Sequence, residues 1–63
     1  MNDIAIRLGA CAHQRFNNGD TSLAYWFLGA KDFYHGLECP REDIWGSARV
    51  AGWHAAAIAC YGS

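Results

Sequence analysis

The chain carries three cysteines and three histidines, residue types that bind zinc or act as nucleophile and base. They fall into three neighbouring pairs along the sequence: Cys11 with His13, His35 with Cys39, and His54 with Cys60. Structural zinc sites typically include two cysteines separated by two residues, and no such pair occurs. His54 and Cys60 would lie about 240° apart on one helix, and Gly36 interrupts the other close pair. The spacing therefore predicts neither a metal site nor any other cofactor.

A catalytic pair of Cys39 and His35 is the strongest enzymatic alternative, because a thiolate just before a helix N-terminus is stabilised by the helix dipole. Asp32 precedes His35 by three residues and could orient its ring. No glycine-rich phosphate loop and no second pair of convergent carboxylates accompany them, and a 63-residue chain has little room for a deep pocket. We therefore expect a protein that is not an enzyme. In the alternative reading, Cys39 is a turn residue that packs on Trp45 or Leu37.

The charge balance bears on nucleic-acid binding. Five Lys and Arg against six Asp and Glu give a net charge of -1, and the basic residues are scattered. Even if all five contacted phosphates, the logarithmic salt slope would reach only about -4 to -5. We expect weak direct nucleic-acid binding at most.

The sequence also bears on location. It contains no run of eighteen apolar residues and no N-terminal basic segment followed by an apolar stretch, so we expect neither a membrane span nor a secretory signal. An odd number of cysteines fits reduced thiols better than a disulfide framework. Together these features predict a cytoplasmic protein.

Apolar residues recur at helical spacing, which predicts an all-α fold: a single domain over 1–63 with three helices at about 3–16, 21–36 and 40–61. Asn17 to Asp20 form a turn, Gly36 ends the second helix in a left-handed conformation, and Pro40 begins the third. The second helix has the clearest apolar stripe, in which Phe27 and Tyr34 should be largely buried. The stripe consists of Leu23, Trp26, Phe27, Ala30, Phe33, Tyr34 and Leu37.

The third helix has two apolar faces, and so small a domain has few elements to cover both. One face, predicted to join the core, holds Ile44, Trp45, Ala48, Ala51, Gly52, Ala55 and Ala59. The small residues Ala48, Gly52 and Ala56 should let another helix backbone approach closely. The opposite face is predicted to bind a partner, with Trp53 as its anchor. Its candidate partner-binding residues are Val50, Trp53, Ala57, Arg49 and His54. In the alternative reading, Trp53 folds back onto a neighbouring helix or onto Tyr61.

The stretch from Gly29 to Pro40, followed by Gly52-Trp53 and Ala55-Ala56, resembles the bacterial ribosome modulation factor group, also called the Rmf/CrpP fold. The shared pattern is a small residue, an aromatic residue, a glycine turn, Cys-Pro or Asn-Pro, and then Gly-Trp in the next helix. The resemblance covers about residues 29–63. It implies two helices joined by a connector, in a small non-enzymatic protein that binds the small ribosomal subunit and silences translation in slow growth.

Two departures from that group keep a second hypothesis open. The gap between the Gly36 turn and Cys39-Pro40 is shorter than in the ribosome-binding members, and the basic residues on which their rRNA contact depends are missing. The partner is therefore either the ribosome or, if the chain is a phage or mobile-element inhibitor such as an anti-CRISPR protein, a host defence complex. A dimer contact could likewise add buried area to so small a domain.

Overall fold

A computed structural model of the chain describes residues 3–62, and for 42–45 it describes the backbone alone. Within this range the chain forms three helices and no strand: α1 (Asp3–Asn17), α2 (Thr21–Tyr34) and α3 (Glu42–Tyr61). The predicted all-α class is confirmed. α1 ends one residue later than predicted, α2 ends two residues earlier, and α3 begins two residues later.

The two predicted breaks between helices occur where expected. Residues 18–20 separate α1 from α2. At the end of α2, the amide of Leu37 donates to the carbonyl of Asp32 and the amide of Gly36 donates to that of Phe33. With Gly36 at a φ of 79°, these two bonds form a Schellman turn, as the sequence predicts. Pro40 lies outside α3, contrary to expectation, because Arg41 is still extended, with ψ at 132°.

α2 is the central helix. α1 and α3 both pack on it, and within residues 3–62 they do not contact each other. The apolar residues that become buried are all alanines: Ala5, Ala12, Ala24, Ala30 and Ala56. Among the described residues, no apolar side chain larger than alanine is buried. Phe27 and Tyr34, which the sequence pattern predicts to be largely buried, are half-buried.

The contact between α2 and α3 is a close approach of two backbones. A Cβ atom added to Gly29 would overlap the carbonyl oxygen of Arg49, and one added to Gly52 would overlap that of Trp26. The predicted role of the small residues in α3 is thus confirmed for Gly52, and Ala56 is buried with it. This crossing fixes which face of α3 is turned toward α2.

The face of α3 turned toward α2 matches the predicted core stripe only in part. Gly52 of that stripe is buried and Ala48 and Ala55 are half-buried, as expected, but Ala51 and Ala59 are exposed. Ala56, which lies outside the stripe, is buried instead. α3 is also broken at Gly46, whose φ of 78° is not helical. The rule of 100° per residue therefore cannot be applied from Ile44 across Gly46 to the rest of the helix. The side chains of Ile44 and Trp45 lie outside the described part of the chain.

Candidate protein-docking surface

Trp53 lies against α2 and the connector that follows it, residues 35–41. Its indole Nε1 donates a hydrogen bond of 3.0 Å to the carbonyl oxygen of Leu37. Its ring meets the ring of Phe33 edge to face, with centroids 5.3 Å apart. Trp53 is therefore half-buried, and the expectation that the other helices leave it uncovered is wrong. Of the two readings of this residue, the structure favours packing onto a neighbouring helix.

Arg49 also faces α2, where its guanidinium meets the carboxylate of Asp32. Nε and Nη2 of Arg49 lie 2.7 and 2.6 Å from the same oxygen, Oδ2. Asp32 is the buried polar residue of the described core, at 8% exposure, although the sequence pattern places it outside the α2 stripe. The expectation that Arg49 belongs to an outward partner-binding face is corrected, because its charged group is turned inward to this pair.

The outer side of α3 holds the remaining predicted partner residues together with two that the prediction missed. Val50 and Ala57 are half-buried and His54 is exposed. Ile58 and Tyr61 are the most exposed of the large apolar residues described, at 70% and 81%. At 100° per residue these five side chains share one sector of the helix, which we call the outer α3 surface.

The sequence spacing indicates that Ile58 and Tyr61 lie on the same face of the helix as His54. They follow His54 by four and seven residues, the spacing of one helix face. The prediction missed them because it took Trp53 as the centre of the outward face. Tyr61 connects this surface to α2, since its ring lies edge to face with Phe33 at 5.6 Å.

Among the described residues, a cysteine and a histidine form a contact that the sequence spacing does not indicate. Sγ of Cys39 lies 3.7 Å from Nε2 of His54, a residue fifteen positions further along the chain. Cys39 and His54 are both exposed. Among the described residues, no group of three or more His, Cys, Asp or Glu side chains is placed to hold a metal ion.

No protein-family model matches this chain, and neither does any curated protein or solved structure. Over the described residues, no helix combines the length and apolar character that crossing a membrane requires.

Proposed function

We propose that this chain is a small non-enzymatic binding protein that docks on a large assembly through the outer α3 surface. The observation that carries the proposal is the exposure of Ile58 and Tyr61, at 70% and 81%, on one face of the same helix. Full burial of a large apolar side chain is worth about 1.5 to 3 kcal/mol, and tyrosine is among the residues that dominate interface energies. A partner that covers this face would therefore gain affinity by burying apolar surface that the fold leaves exposed.

The ribosome is the first candidate partner, and the resemblance to the ribosome modulation factor group supports it. In this chain three residues of the shared pattern have a structural role. Gly36 turns the chain out of α2, Gly52 admits the backbone of Trp26, and Trp53 ties the connector to α3. These structural roles support the arrangement of two helices joined by a connector that the resemblance implies. The choice of partner rests on the resemblance alone.

A phage or mobile-element inhibitor of a host complex, such as an anti-CRISPR protein, is the second candidate. The distribution of charge favours it. Of the five basic residues, Arg49 is engaged with Asp32, and Arg15 lies 3.6 Å from Asp20. The outer α3 surface itself contains no Lys or Arg. A surface of this kind suits contact with a protein subunit better than contact with a phosphate backbone.

Co-sedimentation with purified small ribosomal subunits tests the first candidate. The wild-type protein should move with the subunits through a sucrose cushion, and Ile58→Asp should remain at the top of the tube. Ile6→Asp is the matched control, because Ile6 is 51% exposed on α1 and is remote in the fold from α3. It should sediment like the wild type.

The outcomes separate the proposals. Binding of Ile58→Asp as strong as that of the wild type would reject the outer α3 surface. If the wild type does not bind subunits, the ribosomal candidate is rejected, and binding to a purified defence complex, again lost in Ile58→Asp, would support the second. Sedimentation of the free protein shows whether a homodimer uses the same surface, since Ile58→Asp would then convert a dimer to a monomer.

A further inference from the structure

Cys39 and His54 form a thiol and imidazole pair built from two different parts of the fold. His54 is held by α3, and its ring lies edge to face with that of Trp53, with centroids 5.4 Å apart. Cys39 belongs to the connector, two residues after Leu37, whose carbonyl oxygen accepts the hydrogen bond from Trp53. Trp53 therefore contacts the His54 ring directly and is bonded to the connector that carries Cys39, and in this arrangement Sγ and Nε2 lie 3.7 Å apart.

The other two cysteines provide an internal comparison. Cys11 and Cys60 are exposed free thiols like Cys39. Within residues 3–62, neither sulfur makes a hydrogen bond. The three thiols thus share access to solvent and differ in whether an imidazole lies next to the sulfur. If exposure to solvent alone determined their reactivity, the three thiols would react with disulfides at similar rates.

We propose that Cys39 is a modification site, at which His54 assists the thiol in forming a mixed disulfide with low-molecular-weight disulfides. The reactive form of cysteine is the thiolate, and a neighbouring base can take the thiol proton. Nε2 of His54, in the tautomer that carries its proton on Nδ1, accepts the proton from Sγ. This proposal does not rest on the docking function, although His54 belongs to the outer α3 surface as well.

The exchange step is balanced in atoms and electrons. The Cys39 sulfur attacks one sulfur of the disulfide, a new S–S bond forms, and the S–S bond of the reagent breaks. A leaving alkyl thiolate, such as that of glutathione, takes up the proton held by the His54 imidazolium; when the leaving group is a weakly basic aromatic thiolate, the imidazolium gives this proton to the buffer. The disulfide is reduced to one free thiol as Cys39 is oxidised to the mixed disulfide, so the reaction needs no further oxidant.

Three single-cysteine variants test the proposal, each with the other two cysteines replaced by serine. Their rates are measured with excess 5,5′-dithiobis(2-nitrobenzoate), from the coloured thiolate that is released. The variant that keeps Cys39 should react about tenfold faster than those that keep Cys11 or Cys60, a modest effect for a positioned base. Adding His54→Gln to it should bring its rate to within about twofold of theirs.

Two histidine controls make the result specific. His35→Gln and His13→Gln, each added to the Cys39 variant, should leave its rate unchanged. Circular dichroism of every variant checks that the helices persist, because His54 is exposed but its replacement also removes the edge-to-face contact with Trp53. After incubation with glutathione disulfide, mass spectrometry of the wild type should locate the adduct on Cys39. Equal rates for the three thiols, or a Cys39 rate lowered by His35→Gln and not by His54→Gln, would overturn the assignment.

Discussion

Gly52 packs directly on the backbone of Trp26, at the point where α3 crosses α2. A reciprocal contact joins Gly29 to the backbone of Arg49. Because both helices present a glycine, their axes come close enough for backbone atoms to touch. The position of Trp53, of the Asp32 and Arg49 pair and of the outer α3 surface all depend on this crossing.

The crossing predicts that Gly52→Ala and Gly29→Ala destabilise the fold. Either methyl group would overlap a carbonyl oxygen, which cannot move without shifting a helix. We expect losses of about 3 kcal/mol or more in the free energy of unfolding, at or beyond the upper end of ordinary overpacking. In a domain of this size such a loss removes much of the total stability. Thermal melting followed by circular dichroism measures it.

Gly9→Ala is the matched control for these substitutions. Gly9 is a helical glycine in α1, and an added Cβ would lie 3.5 Å from Cδ and Cε and 3.9 Å from Nζ of the Lys31 side chain, which are ordinary contacts. Alanine is favoured over glycine in a helix by about 1 kcal/mol, so Gly9→Ala should be neutral or stabilising. If Gly52→Ala had the same melting temperature as the wild type, the backbones of α2 and α3 would not be in contact.

The ion pair of Asp32 and Arg49 predicts strong coupling between the two residues. Their side chains are only 12% and 16% exposed, so removing one partner leaves a poorly hydrated charge. We expect Asp32→Ala to cost about 3 kcal/mol. Asp32→Leu combined with Arg49→Met should cost less than the sum of the two single changes. Urea unfolding of the four proteins in this cycle measures the coupling energy.

The exposed pair of Arg15 and Asp20 is the comparison for that cycle. Its side chains are 43% and 54% exposed and its charged atoms are 3.6 Å apart. Arg15→Ala should change the free energy of unfolding by no more than about 0.5 kcal/mol. Additive effects of the Asp32 and Arg49 substitutions would contradict a buried pair.

The sequence predicts the helices well because their signals are local. Periodic apolar residues mark each helix, and Gly36 ends α2 through hydrogen bonds within its own turn. Even the close approach at Gly52 is foreseeable, since small residues recur along one strip of α3. Each of these features involves neighbours along the chain or the sterics of one residue type.

The orientation of α3 could not be predicted in the same way. An apolar pattern treats Arg49 as a surface residue, yet Asp32, seventeen positions earlier, draws it to the α2 side of the helix. Because Arg49 faces inward, the same rotation of α3 about its axis places Trp53 against Phe33 and leaves Ala51 exposed. Since the helix is broken at Gly46, the position of Ile44 does not predict which way the residues after Gly46 face. Contacts between residues distant along the chain decide the candidate site, so spacing alone does not reveal it.

Trp53 is expected to contribute to folding, in contrast to the sequence prediction that it lies on a partner-binding face as the anchor. Trp53→Ala removes the contact with Phe33 and the bond to Leu37 and should cost about 2 to 4 kcal/mol. Trp53→Phe keeps a ring against Phe33 but loses the donor, and should cost about 1 kcal/mol. Chemical unfolding of both variants measures the difference. A wild-type melting temperature for Trp53→Ala would restore Trp53 as a residue that serves the partner alone.

Salt dependence distinguishes contact with protein from contact with phosphates in any complex that the chain forms. Arg49 and Arg15 are paired with carboxylates, which leaves Arg7, Lys31 and Arg41 outside these two ion pairs. Three phosphate contacts would give a logarithmic salt slope of about -2 to -3, and binding through the outer α3 surface should give a shallower one. Titrations with purified small ribosomal subunits at several salt concentrations measure the slope. A slope near -5 would require all five basic residues to contact phosphates, with Arg49 and Arg15 leaving their carboxylate partners, and it would contradict docking through an apolar face.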